Sequence, residues 1–176
     1  MKAAILKSIA AAAVLAACCT FAAAQKRKPA GPRVTEIDIN GLKELLKPGD
    51  KPRLVNFWAT WCDPCREEFP DLVTIDAAYK GRIDLVTVSL DDFVDIDTLV
   101  PKFLFEMKAT MPAYLLHTPD EDAAITAIRA ISPDFEGNLP FTILIKRTGE
   151  LAYSKNGKIK PLALTAEIDK LLTPAQ

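Results

Sequence analysis

Cys62 and Cys65 are the residues whose type and spacing carry the clearest chemistry in this sequence. Asp63 and Pro64 separate them, and a short apolar run ending at Ala59 precedes them. If that run is a strand followed by a helix, the first sulfur lies over the helix N-terminus, where free N–H groups and the helix dipole stabilise a thiolate. The second sulfur can then attack a mixed disulfide. The spacing therefore predicts a redox pair, with Cys62 exposed and nucleophilic and Cys65 shielded and resolving.

A structural disulfide and half of a zinc site are the alternative uses of such a pair. Zinc usually takes four Cys or His ligands, and the sequence beyond its N-terminal segment offers only His117 in addition to the pair. Aromatic residues before the pair and Pro64 inside it favour redox chemistry over a purely structural bond. We expect Trp58 to lie in the core, and Trp61 to border the Cys62 sulfur and contact partners.

Strands that alternate with helices must position this pair. Strands are predicted at residues 34–39, 53–59, 83–90, 113–117, 141–146 and 150–154. Helices are predicted at 41–46, at 63–79, from an N-cap at Asp95 or Asp97 to about 108, at 120–131 and at 162–172. This order predicts an α/β fold with a central mixed β-sheet flanked by helices.

Composition limits the classes of function. The chain has 176 residues, of which 49% are hydrophobic and 26% charged, which is the balance of a globular protein with a core. Its formal net charge is −1, so no overall basic field attracts nucleic acid. We therefore expect one domain with a short N-terminal appendage and no nucleic-acid partner.

Residues 1–24 have the features of a bacterial export signal. Lys2 and Lys7 provide a positive start, and the apolar run Ile9–Ala17 follows. That run is shorter than the roughly 20 apolar residues that cross a bilayer as a helix. The sequence thus predicts export to the periplasm, where a dithiol needs a dedicated electron supply or acts as an oxidant.

Two processing routes are open for this signal. The run Leu15–Ala17 followed by Cys18 resembles the lipobox of bacterial lipoproteins, in which the cysteine is lipidated and anchors the protein to a membrane. Ala22–Ala24 also suits ordinary signal peptidase, which would leave a soluble protein. Residues 25–33 are predicted to be a tether and residues 34–173 the folded domain.

The segment from Leu54 to Pro70 resembles the active-site segment of TlpA/ResA-type thioredoxin-like proteins. The resemblance continues through Gly137–Thr142 and Gly149–Leu151, whereas the region 91–136 is more divergent. It implies a thioredoxin-like fold and an exported or membrane-anchored reductase of protein disulfides, of which several serve cytochrome c maturation. It also implies a membrane thiol electron donor, and a redox-active disulfide in place of any external cofactor or metal.

The resemblance assigns further site residues. Pro140 matches a proline that the family holds in cis beside the disulfide, where with Leu139 it offers a peptide edge to a substrate strand; the alternative is an ordinary proline at a strand entry. Glu68 matches an acidic residue near the cysteines that can tune the thiols and accept a proton, and the alternative is a solvated helix carboxylate. Asn56 stands where thioredoxin has a buried aspartate, and an amide cannot relay the proton.

Asp63 bears on the direction of electron flow. A carboxylate beside Cys62 repels its thiolate, so we expect Asp63 to keep the redox potential of the pair on the reducing side. A thiol oxidase is the runner-up, because Asp63-Pro64 lacks the histidine found in strong oxidants. A copper metallochaperone using His117 and a non-catalytic interaction domain rank lower. Trp61, Asp63, Pro64 and Leu139 are the predicted substrate contacts.

Overall fold

The computed structural model describes residues 32–173. The predicted export signal at 1–24, with the candidate lipidation site Cys18, and residues 25–31 of the tether lie outside the described residues. Within the described range, the helices are too short or too polar to cross a bilayer.

Between residues 32 and 173, six strands and five helices follow one another in the predicted order. The strands are β1 (Val34–Ile37), β2 (Arg53–Trp58), β3 (Asp84–Ser89), β4 (Ala113–Leu116), β5 (Phe141–Ile145) and β6 (Leu151–Asn156). The helices are α1 (Ile39–Leu45), α2 (Asp63–Ala78), α3 (Leu99–Glu106), α4 (Glu121–Arg129) and α5 (Pro161–Leu172). The predicted α/β class is confirmed.

The strands form one mixed sheet in the order β1-β4-β3-β2-β5-β6. The first four strands of this order run parallel, whereas β5 runs antiparallel to β2 and β6. Phe57 pairs with Phe141, so β5 begins beside the end of β2. The carboxyl ends of β2, β3 and β4 and the start of β5 therefore share one edge of the sheet, where loops from several elements meet.

The central strand β2 supplies side chains to a core on each face of the sheet. Leu54 and Trp58 belong to a cluster formed with α2, α3 and α5, and Val55 and Phe57 belong to a second cluster formed with α1 and α4. Successive residues of a strand point to opposite faces, so a run that is apolar throughout suits a strand covered on both sides. Trp58, fully buried, lies 4.4 Å from Phe103 between ring centroids.

The predicted start of the third helix at Asp95 or Asp97 is wrong. A single 3-10 turn spans Phe93–Asp95, and the helix begins only at Leu99. Pro101 explains the difference, because a helix with its N-cap at residue 95 or 97 would place this proline beyond the first turn, where a backbone N–H is needed and the proline ring clashes with the preceding turn. In the first turn of α3 the missing N–H costs nothing.

Candidate active site

Cys62 and Cys65 form a disulfide with an S–S distance of 2.03 Å at the start of α2. Cys62 is the N-cap of the helix, with an extended backbone, and its Sγ accepts the N–H of Cys65 at 3.2 Å. Pro64 follows in the first turn, where the backbone N–H that proline lacks would have no helical acceptor. The pair therefore stands where the free N–H groups of the helix can stabilise a thiolate, as the spacing predicts.

The burial of the two sulfurs corrects one expectation. Cys65 is fully buried as predicted, but Cys62 is only 5% exposed and belongs to the same apolar cluster as Trp58. In the disulfide form, Cys62 is bonded to Cys65 and is buried as part of that cluster, which shields it from solvent. Trp61 is 68% exposed, so the predicted difference in burial between Trp58 and Trp61 is confirmed, and the contact of Trp61 with partners stays a prediction.

Glu68 lies one helical turn after Cys65 on the buried face of α2. Its Oε1 accepts Nδ2 of Asn56 at 2.8 Å, and its Oε2 accepts the N–H of Ile159 at 2.8 Å. Only 1% of Glu68 is exposed, so the solvated-carboxylate alternative is wrong. Burial raises the pKa of Glu68 to about 7 against the opposing effect of these two hydrogen bonds.

Asn56 links Glu68 to the neighbouring strand. It is fully buried in β2, and its Nδ2 also donates to Oγ1 of Thr142 at 3.0 Å. Its Oδ1 has no hydrogen-bond partner among residues 32–173. Because an amide does not titrate, Glu68 is the member of this buried polar group that can exchange a proton near neutral pH.

Asp91, which the sequence reasoning missed, holds the loop before the disulfide. Its carboxylate accepts the N–H of Thr60 at 3.0 Å, the hydroxyl of Thr60 at 2.6 Å and the hydroxyl of Ser89 at 2.6 Å. Asp91 is 5% exposed and follows β3, so it joins the end of that strand to the β2–α2 loop. The available signal was a carboxylate directly after a buried strand that neighbours β2.

Pro140 stands at the same edge of the sheet as the disulfide. The Leu139–Pro140 peptide bond is cis, and the proline precedes β5, whose first residue Phe141 pairs with Phe57. Its carbonyl accepts the N–H of Gly157 at 2.9 Å. Leu139 is half-buried against the cluster that contains both cysteines. The structure thus brings Leu139 and Pro140 to the site, and their contact with substrate stays a prediction.

Asp63 and His117 differ in their relation to the cysteines. Asp63 is exposed at the first position of α2, directly after Cys62. His117 follows β4, where its Nδ1 lies 2.7 Å from Oε1 of Glu36 and its ring stacks on Phe93. Among the described residues, His, Cys, Asp and Glu side chains do not gather into a group of three or more that could hold a metal.

Comparisons with known proteins agree with this geometry. Residues 34–113 match the thioredoxin family model. The thiol-disulfide oxidoreductase ResA of Oceanobacillus iheyensis is 34% identical over 99 residues, which cover 56% of this chain and 45% of ResA. Thioredoxin Y2 of Arabidopsis thaliana is 30% identical over 62% of this chain and 56% of its own length, so the chain spans about half the length of these relatives.

Solved structures share the same architecture. A thioredoxin-related protein from Neisseria meningitidis serogroup B is 26% identical, with a TM-score of 0.57 over 70% of this chain and 86% of that one. A thioredoxin-family thiol:disulfide interchange protein from Chlorobium tepidum TLS has a TM-score of 0.57 at 22% identity, over 85% of this chain and all of that one. The second likeness concerns the fold alone.

Proposed function

We propose that this chain, as a thioredoxin-like protein of the TlpA/ResA type, is a thiol–disulfide oxidoreductase that reduces disulfides in proteins. One observation carries the proposal: Cys62 and Cys65 are joined at the N-cap of α2, one turn ahead of the buried Glu68. The two sulfurs store the electron pair themselves, so the exchange uses the protein's own disulfide in place of an external cofactor.

The proposed reaction passes two electrons from the reduced pair to a client disulfide. The Cys62 thiolate attacks one client sulfur, the client S–S bond breaks, and the other client sulfur leaves as a thiolate. The Cys65 thiolate then attacks the Cys62 sulfur, so the Cys62–Cys65 bond forms and the second client sulfur leaves. The client gains two thiols, and a thiol electron donor in the membrane then reduces the Cys62–Cys65 disulfide again.

Glu68 is the proposed proton acceptor for the second attack. Cys65 must lose its proton before it attacks, and it lies in a fully buried position that water reaches poorly. Positions three apart on a helix are neighbours, and a group with a pKa of about 7 can take a proton and return it at neutral pH. Asn56 and the N–H of Ile159 hold the carboxylate of Glu68 in place for this step.

We propose that Asp63 keeps the redox potential of the Cys62–Cys65 pair low enough for the protein to act as a reductase. Its carboxylate is adjacent to Cys62 at the first helical position and repels the Cys62 thiolate. We expect the replacement Asp63→His to favour the thiolate and to move the potential of the pair toward that of an oxidant. Titration of the Cys62 thiol together with the potential checks this, and unchanged values of both would contradict it.

We also propose that the protein is exported and works facing the periplasm. Lys2, Lys7 and the apolar run after them support export, and Cys18 supports a lipid anchor. Apocytochrome c is a candidate client class through the family resemblance. Mass spectrometry of the protein from its host would show a lipid on Cys18 or a cleaved N-terminus after residue 24; a full-length chain in the cytoplasm would contradict export.

Two variants, each of which lacks one cysteine of the Cys62–Cys65 pair, test the proposed chemistry. Incubated with a disulfide-containing protein such as insulin, reduced Cys65→Ser should accumulate a mixed disulfide through Cys62, because the resolving sulfur is missing. Cys62→Ser should trap far less, since Cys65 is fully buried. Mass spectrometry of the trapped species is the measurement. Equal trapping by both variants, or a wild-type protein that leaves insulin intact, would contradict the proposed function.

A further inference from the structure

A groove of about 490 Å³ lies beside the disulfide, between the loops after β3 and β4 and the segment before β5. Trp61, the neighbour of Cys62, and Leu139, the neighbour of Pro140, both line it. Its other apolar lining residues are Leu90, Phe93, Leu116, Ala124, Ile125 and Phe135. The groove therefore includes two of the residues predicted to contact a substrate, and its apolar surface extends away from them.

The polar side chains that line this groove are those of Thr118, of His117, whose Nδ1 lies 2.7 Å from Oε1 of Glu36, and of four acidic residues. Its carboxylates belong to Asp91, Asp92, Asp120 and Glu121, and none of its lining residues, all within 32–173, is a lysine or arginine. Asp91 is occupied by Thr60 and Ser89. The other three are exposed and form no ion pair with a basic residue of the described chain.

Backbone contacts hold two of these exposed carboxylates at the groove. Oδ1 of Asp92 accepts the N–H of Val94 at 3.1 Å, and Oδ1 of Asp120 accepts the N–H of Ala123 at 2.8 Å as the N-cap of α4. Each hydrogen bond uses one carboxylate oxygen. A cationic side chain could thus pair with either carboxylate without displacing its backbone contact.

We propose that this groove binds client polypeptide segments in which an apolar residue near the reactive cysteine is flanked by lysine or arginine. The inference rests on the proposed function, because it identifies the clients of that same site. The apolar side chain would be buried against the lining, and the basic side chains would pair with Asp92, Asp120 and Glu121. The same carboxylates would repel acidic segments, so the groove would select basic client segments and reject acidic ones.

Two matched peptides test this selection. They differ only in whether lysine or glutamate flanks a leucine beside one cysteine, which is held as a mixed disulfide with mercaptoethanol. The reduced protein reacts with each in a stopped-flow experiment at low salt, and each rate is divided by that of the same peptide with dithiothreitol. We expect a normalised rate about tenfold higher for the lysine peptide, and a ratio that falls toward one in about 1 M salt.

Two triple variants locate the effect. In Asp92→Asn/Asp120→Asn/Glu121→Gln the ratio should fall to near one, and asparagine still caps α4. The control Glu44→Gln/Asp50→Asn/Glu150→Gln removes the same charge from exposed positions in α1, before β2 and before β6. These positions lie toward the opposite edge of the sheet, so the ratio should persist in the control.

The outcomes separate the inference from the proposed function. Neutral bis(2-hydroxyethyl) disulfide is the reference substrate, and a reduced protein that fails to react with it would overturn the proposed function. If it reacts but treats both peptides alike, or prefers the glutamate peptide, the groove does not select basic clients. Sedimentation that shows a dimer disrupted by the groove variant would assign the groove to a second copy of the chain and overturn the inference.

Discussion

Two buried carboxylates, Asp91 and Glu68, flank the redox segment and differ in the hydrogen bonds that they accept. Asp91 accepts three donor groups from Thr60 and Ser89, so it joins a loop to the end of a strand. Glu68 accepts one donor on each oxygen, and burial raises its pKa to about 7. A buried carboxylate can thus fix a backbone segment, as Asp91 does, whereas in Glu68 burial outweighs the two hydrogen bonds and raises the pKa.

The largest expected effect is that of Asp91→Ala on stability. The change leaves the N–H and hydroxyl of Thr60 and the hydroxyl of Ser89 without their acceptor. Each unpaired donor is expected to lower the free energy of unfolding by about 1–2 kcal/mol. We expect the free energy of unfolding of the oxidised protein to fall by about 4 kcal/mol in urea denaturation at pH 7. The exposed neighbour is the control, and Asp92→Asn should have little effect. A loss below about 1 kcal/mol for Asp91→Ala would show that the loop does not depend on this carboxylate.

Glu68→Gln should change how stability depends on pH. The pKa of Glu68 is about 7 in the folded protein, against an ordinary 4.5. Between these pH values the unfolded chain releases a proton that the folded chain keeps, so the contribution of Glu68 to stability falls as pH rises, by about 3 kcal/mol in total. Relative to wild type, the variant should therefore gain stability from pH 4.5 to pH 8.

Urea denaturation at a series of pH values measures this difference. The control is Glu67→Gln, since Glu67 is the exposed neighbour and pairs with Lys158 at 2.6 Å. Its stability profile should follow that of the wild type between pH 4.5 and 8. Parallel profiles for Glu68→Gln and wild type would mean that the buried carboxylate does not titrate near neutral pH.

The smallest effect is expected from Lys158→Gln. The positive charge of Lys158 lowers the pKa of Glu68, so its removal should raise that pKa above about 7 by a fraction of a pH unit. Salt screens an exposed side chain, which keeps the change small. The carboxyl carbon shift of Glu68 in NMR, followed against pH, measures it. The control Lys155→Gln should leave the pKa of Glu68 unchanged. A lower pKa of Glu68 in Lys158→Gln would contradict the role assigned to the charge of Lys158.

Local pattern was enough to predict the order of strands and helices, the place of Cys62 before a helix and the different exposures of Trp58 and Trp61. These follow from periodicity and capping over a few residues. The start of α3 was missed because Pro101 was not weighed against a helix from Asp95 or Asp97.

Other features depend on residues distant in sequence. Asp91 meets Thr60 across 31 positions, and Glu68 meets Ile159 across 91. The burial of Cys62 likewise depends on a cluster drawn from several elements. No pattern within one segment records such neighbours. The resemblance pointed to Glu68, but its buried hydrogen bonds and the loop contact of Asp91 required the structure.

The reduction potential of the Cys62–Cys65 pair decides whether the protein acts as a reductase. Equilibration of the purified protein with dithiothreitol or glutathione buffers, followed by thiol quantification, gives the value. If the protein is a protein-disulfide reductase, we expect a potential near that of thioredoxin, about −270 mV. A potential near −120 mV would make the protein an oxidant, and a pair that resists reduction well below about −300 mV would be a structural disulfide. Either result would contradict the proposed reductase.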